Sequence, residues 1–354
     1  MRRALAIVVA GLLLSATSAF AQFGVGGSPA KAKATTPEIP FTVVPGFIKM
    51  PPGLYLGEGI GVATNSKGHV FVYTRSGETR LFEFDQNGNY VKEFGANSYA
   101  FSFAHSVRVD AQDNVWAVDE GTNVITKFSP EGKVLMVVGK RPDPLEMLGN
   151  MAGGGQFSGA NKPYSFHRQT DMGFDQQGNF FVSDGYGDAR VVKYDKNGKF
   201  VKSAGTRGNG PLQFSTPHTI QVDRQGNVYV GDRGNSRIQV LDNDLNFKTM
   251  YDNVGAPWAV CVSGGPHQYL YASNSWPDSS DSRGLANTGE VYKMELDGTV
   301  LGRFGKGGHA VGEFSTLHQM DCRNPDEIYT AEITGWRVQK VQLRPAPARS
   351  SSGN

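Results

Sequence analysis

Cysteine is scarce in this sequence, with only Cys261 and Cys322 among 354 residues. That excludes a disulfide-dense small scaffold, and a chain of this length can bury its core without staples. The two could pair in an exported protein, but pairing cannot be read from sequence alone. Charge of one sign is also lacking. Lys and Arg number 35 against 33 Asp and Glu, a formal net charge of +2, and the basic residues are scattered along the chain. The lack of a basic stripe to neutralise phosphates argues against nucleic acid as a partner. Long helical patterns are few, and beyond the first residues no apolar run is long enough to cross a membrane.

The one apolar run lies at the start. Met1-Arg2-Arg3 precedes the stretch from Ala4 to Leu14, followed by Ala19-Phe20-Ala21. A charged start, a short apolar run and small residues before a cut describe a Sec signal peptide over residues 1–21, cleaved between Ala21 and Gln22. Arg2-Arg3 lacks the polar flank of a twin-arginine signal. The mature protein is therefore expected to be secreted or periplasmic, with no membrane contact. Residues 22–39, rich in Ala, Lys, Thr and Pro, read as a flexible leader, and residues 345–354 as a disordered tail.

Glycine is abundant, at 45 residues, and it belongs to a repeat. A polar turn, often Asp-x-x-Gly-Asn, leads into an apolar strand with an aromatic at a fixed place. The phrase appears at Asn65–Val72, Asp110–Trp116, Asp175–Phe181 and Asp223–Tyr229, with weaker copies ending at Tyr271 and Tyr329. Each turn suits a hairpin, and a second strand follows, as in Arg190–Tyr194 and Arg237–Leu241. A further turn and a fourth strand complete the unit. Four short antiparallel strands, recurring every 40 to 65 residues, predict an all-β fold: a six-bladed β-propeller over residues 40–344. The longest spacing holds an insertion from about Lys140 to Ser165, containing Gly153-Gly154-Gly155. Loops of that length are usually functional or mobile.

The repeat supplies a register. Eleven residues before the six aromatics stand Ile60, His105, Thr170, His218, Val260 and His318. Histidine thus recurs in blades two, four and six, which in a six-bladed ring lie about 120° apart. A single histidine in a strand is ordinarily a satisfied polar residue, and His69, His167, His267 and His309 are read that way. Three in one register are not explained so simply. They would converge near the axis as a three-imidazole site with an open fourth position, which suits a catalytic zinc, although copper, iron and nickel also accept imidazole.

Four residues after the same aromatics come Arg75, Glu120, Gly185, Arg233, Ser275 and Ile333. Arg75 and Arg233 could be exposed charges or partners of Asp119 and Asp232. They could equally clamp a carboxylate, which a guanidinium fork matches in geometry. Tyr186, between Gly185 and Gly187, is either a loop aromatic or a phenol drawn toward phenolate by nearby cations.

The run Phe174–Tyr194, with Val182-Ser183-Asp184-Gly185-Tyr186, resembles the NHL-repeat propellers and, more narrowly, the peptidyl-α-hydroxyglycine α-amidating lyases. The likeness covers about Pro45 to Val341, with no monooxygenase half. The family's zinc histidines match His105 in Phe103-Ala104-His105-Ser106, His218 in Thr216-Pro217-His218-Thr219 and His318 in Thr316-Leu317-His318-Gln319. Its catalytic tyrosine matches Tyr186, and its active-site arginines match Arg75 and Arg233. Where the family has an aspartate that binds calcium, this chain has Gln319, which argues against calcium. The family's disulfide beside the tyrosine is missing, since Gly187 stands there.

The resemblance implies zinc on the three histidines and a small-molecule or peptide substrate carrying a carboxylate. The expected reaction is cleavage of an N-acyl-α-hydroxyglycine to a primary amide and glyoxylate, with Tyr186, Arg75 and Arg233 as catalytic residues. Two other readings stay open: a non-catalytic propeller that binds a peptide, glycan or protein, and another metal-dependent propeller enzyme such as a lactonase. A lactonase would want carboxylate ligands, against which the histidine register argues. A closed propeller has no obligate partner, so a monomer is expected.

Overall fold

In blades 1 to 4 the turn that joins the innermost strand to the next satisfies its own backbone. In blade 3, Asp175 Oδ1 accepts from the backbone N–H groups of Gln177 and Asn179 at 3.0 and 2.9 Å. Asp223 and Asn65 repeat the device in blades 4 and 1. Such Asx turns compete with continued strand and reverse the chain.

The resulting structure, a computed structural model, describes residues 30–33, 35–141, 162–275 and 288–344. Blade 1 comprises Gly59–Thr64, Val70–Thr74, Arg80–Phe84 and Tyr90–Phe94, and blade 2 Ala104–Val109, Val115–Asp119, Val124–Phe128 and Val134–Gly139. Blade 3 holds Asp171–Phe174, Phe180–Asp184, Arg190–Tyr194 and Phe200–Ala204, and blade 4 Pro217–Val222, Val228–Asp232, Arg237–Leu241 and Phe247–Tyr251. Pro257–Val262, Leu270–Asn274, Glu290–Met294 and Val300–Phe304 form blade 5. Blade 6 contains Leu317–Asn324, Glu327–Glu332 and Arg337–Leu343, with Phe41–Val44 as its outermost strand. All pairings within the blades are antiparallel, so the six-bladed propeller expected from the repeat is the fold.

The apolar faces of adjacent blades meet. Phe71, Tyr73 and Leu81 of blade 1 pack on Val107, Val115 and Phe128 of blade 2, all fully or almost fully buried. Truncating one such phenylalanine to alanine costs about 3–5 kcal/mol. Between blades 5 and 6, Cys261 and Cys322 are bonded as a disulfide that ties the two innermost strands together.

Part of the expected leader is not loose. Ala30 is buried, Ala32 N–H donates to Asn253 O at 2.9 Å, and Lys33 pairs with Glu290. Ile39 packs on the core and its N–H donates to Arg303 O at 2.7 Å. These residues cover outer edges of blade 5 that would otherwise leave apolar side chains and backbone groups open. The signal segment 1–21, most of the insertion between blades 2 and 3, and the tail 345–354 lie outside the described residues.

Candidate metal centre and its surroundings

The innermost strands of blades 2, 4 and 6 begin with an irregular step in their pairing, between Ala104 and Ser106, Pro217 and Thr219, and Leu317 and Gln319. The residue inside that step is a histidine in blades 2, 4 and 6. His105, His218 and His318 are buried, and their rings form a near-equilateral triangle with centroids 4.8, 4.7 and 4.6 Å apart. One nitrogen from each lies within 4.8 Å of the others. The structure thus brings together the three histidines of the register.

Their orientation is fixed from the next blade round the ring. His105 Nδ1 meets Thr170 O at 2.5 Å, His218 Nδ1 meets Trp258 O at 2.7 Å, and His318 Nδ1 meets Ile60 O at 2.8 Å. A carbonyl can only accept, so each Nδ1 carries the proton and each Nε2 keeps its lone pair. His218 Nε2 is buried without a partner. Burial holds all three imidazoles well below their ordinary value. Next in weight come His318 at His105, Arg233 at His218 and Arg75 at His318. They are neutral, which is the form that binds metals.

Thr170 and Ile60 hold the structural place that the register read from the sequence assigned to them, but Val260 does not. Tyr271 pairs with Cys261, and three residues before that partner is Trp258. In blade 4, Tyr229 pairs with Gln221, three residues after His218. Ten positions separate Cys261 from Tyr271, against eight between Gln221 and Tyr229. The longer hairpin moves the equivalent position to Trp258, so all three carbonyls come from one structural place.

Tyr186 follows the strand Phe180–Asp184 and is half-buried. Its hydroxyl donates to His105 Nε2 at 3.1 Å. The flanking glycines are required by close approach: a Cβ on Gly185 would meet Pro217 O at 2.1 Å, and one on Gly187 would meet His167 Cβ at 2.2 Å. Burial pushes the phenol above its ordinary value, while Arg233, Arg75 and Arg168 pull it back. The expected drift toward phenolate is therefore not met by the protein groups alone.

Arg75 and Arg233 both face this region, in different states. Arg75 Nε donates to Glu58 Oε2 at 3.0 Å, and its guanidinium lies 4.1 Å from the Phe103 ring centre. Arg233 is buried, with its guanidinium 4.1 Å from the Trp258 ring centre and 5.6 Å from that of Tyr186. Its Nε has no acceptor. Neither arginine pairs with the carboxylates considered from sequence: Asp232 bonds Arg237 at 2.8 Å, and Asp119 accepts from Tyr73, Ser102, Phe103 and Thr122.

Three residues not singled out from sequence complete the surroundings. Glu120 is buried, Arg168 lies 4.6 Å over the Tyr186 ring, and Trp258 packs against His218 at 5.2 Å. Glu120 stood in the same register row as Arg75 and Arg233, which was its available signal. One residue beyond His318, Gln319 is buried and bonded to Val62 and Val107. His69, His167 and His267 each meet a carboxylate away from the triangle.

The NHL repeat family matches residues 214–241, the three inner strands of blade 4. The chain is 28% identical over 275 residues to peptidyl-alpha-hydroxyglycine alpha-amidating lyase 1 of Drosophila melanogaster, covering 69% of this chain and 45% of that one. It is likewise 28% identical over 197 residues to mouse NHL repeat-containing protein 3, covering 54% of this chain and 53% of that one. The chain thus spans about half the length of these curated relatives. A streptogramin B lyase structure superposes with a TM-score of 0.53 at 15% identity, covering 86% of this chain and 98% of that one, a likeness of fold.

Proposed function

We propose that this propeller is a metal-dependent carbon–nitrogen lyase acting on an N-acyl-α-hydroxyglycine. The observation that carries the reading is the contact between Tyr186 and His105, a phenol at 3.1 Å from a nitrogen of a buried, neutral three-imidazole triangle. Similarity to the fly lyase supports it. So does the buried Arg233 beside the tyrosine, a cation awaiting an anion.

The residues fit a bound zinc ion: three Nε2 lone pairs converge, and His218 Nε2 has no other partner. Held by His105, His218 and His318, zinc would supply Lewis acidity toward a substrate hydroxyl and the positive charge that favours a phenolate nearby.

The chain's own groups supply the rest. The substrate R–CO–NH–CH(OH)–COO⁻ is oriented by its carboxylate on the arginine side of the triangle. Tyr186 Oη accepts the hydroxyl proton as the C–N bond breaks and the C=O bond forms. The same proton is returned to the departing nitrogen, giving R–CO–NH₂ and glyoxylate, with no water consumed. The Cys261–Cys322 disulfide supports an oxidising compartment, in keeping with an exported protein.

Protein purified without a His tag should hold about one zinc per chain by elemental analysis and release glyoxylate from α-hydroxyhippurate. Tyr186→Phe and His218→Ala should each reduce release by about 100-fold or more, the scale of a lost acid–base group. Metal-loaded protein that releases no glyoxylate would refute the assignment.

A further inference from the structure

Counting charge around the triangle separates the two arginines. Glu120 is 2% exposed, and its Oε1 accepts from Arg168 at 3.2 Å while lying 3.8 Å from Arg75. Glu58 takes the Nε of Arg75. Two cations, Arg75 and Arg168, are thus balanced by two carboxylates. Arg233 is 3% exposed, has an unsatisfied Nε and forms no ion pair among the described residues. A buried guanidinium without an anion is costly, and a carboxylate ligand removes that cost. The second oxygen of Glu120 is also unpartnered and lies 4.0 Å from His105 Nε2. It therefore presents negative charge at the place where a second substrate carboxylate would arrive.

We infer that Glu120 is a specificity-determining residue: with Glu58 it occupies Arg75 and Arg168, so that the site accepts a single carboxylate, on Arg233, and rejects a second one at the reacting carbon. This rests on the proposed substrate class, an N-acylglycine skeleton, but not on turnover. Like charges brought together in a desolvated site repel strongly, which is how a site discriminates against a near relative of its ligand.

Calorimetric titration of the zinc-loaded full-length protein with hippurate and with N-benzoylaminomalonate tests the inference. The wild type should bind hippurate and bind the aminomalonate about tenfold more weakly or worse. Arg233→Gln should weaken hippurate by about tenfold or more, whereas Arg75→Gln should change it by less than about threefold. Glu120→Gln should raise the affinity for aminomalonate relative to hippurate by about tenfold. Should that variant fail to fold, Arg168→Gln at the half-exposed rim should lower the same ratio by stripping a cation from Glu120. Equal losses from Arg75→Gln and Arg233→Gln, an unchanged ratio in the folded Glu120 or Arg168 variant, or a wild type that binds no hippurate would each overturn the inference. Hippurate held through Arg233 without glyoxylate release would instead overturn the lyase reading alone.

Discussion

Gln319 of blade 6 grips Val107 of blade 2 with both ends of its amide. Oε1 accepts from Val107 N–H at 3.2 Å, and Nε2 donates to Val107 O at 2.9 Å. The same Oε1 accepts from Val62 N–H of blade 1 at 3.1 Å. A neutral side chain thus joins three blades beside the axis, where the resemblance would place an aspartate. Gln319→Ala should destabilise the fold by about 2–4 kcal/mol, since it strands buried N–H groups. Thermal melts should show the loss, and a calcium-selective chelator should leave the wild-type midpoint unchanged. A calcium-dependent midpoint would contradict this role for the amide.

The disulfide makes a second prediction. Cys261 and Cys322 are 61 residues apart, and both are buried between blades 5 and 6. Closing a loop of that length in the unfolded chain is worth about 4 kcal/mol on the chain-entropy account. The Cys261→Ala/Cys322→Ala variant should therefore lose about that much stability in urea unfolding. An unaltered midpoint would mean that the bond constrains nothing in the unfolded state.

Arg190 is buried against Asp184, donating from Nε at 3.1 Å and from a terminal nitrogen at 3.0 Å. Asp184 also accepts from His167 N–H at 2.8 Å, so this pair supports the turn that carries Tyr186. Arg190→Leu should cost about 3–5 kcal/mol, because a carboxylate is left buried without its cation. Adding Asp184→Leu should restore part of it. If the double variant is less stable than the single, the stranded charge is not the cause.

Acid should weaken the metal-free protein through the triangle. The folded imidazoles sit well below their ordinary value, chiefly because they are buried. Above pH about 6.5 the histidines are neutral folded and unfolded alike. As pH falls through that value the unfolded chain takes protons that the fold refuses, and stability drops by up to about 1.4 kcal/mol per pH unit for each histidine. Urea midpoints of chelator-treated protein between pH 7.5 and 5 should show this slope, and His218→Gln should make it shallower. Equal slopes would place the acid sensitivity elsewhere.

Much of this was legible because a repeat gives every residue an address. The Asx turns and aromatics located the inner strands, and alternate blades carried His105, His218 and His318 to one point. The address failed in blade 5, where a longer hairpin put Trp258 in the place ascribed to Val260. Spacing in sequence cannot see a hairpin lengthen. Arg75 and Arg233 looked alike by register, yet Arg75 is engaged by Glu58 and Arg233 is not, a difference made by residues from other turns. Tyr186 was visible as a loop aromatic, but its burial, which holds the phenol up, depends on tertiary packing.

The carbonyl anchors of the three histidines couple the centre to the perimeter. His105 and His218 are oriented by residues 65 and 40 positions away, whereas His318 is oriented by Ile60, 258 positions away. That last contact crosses the seam where blade 6, completed by the strand Phe41–Val44, meets blade 1. Two anchors can form as neighbouring blades fold, but the third waits until the ring has joined. The orientation of the third imidazole therefore reads out the integrity of a joint far from it in sequence, and a loosened outer strand would be felt at the axis.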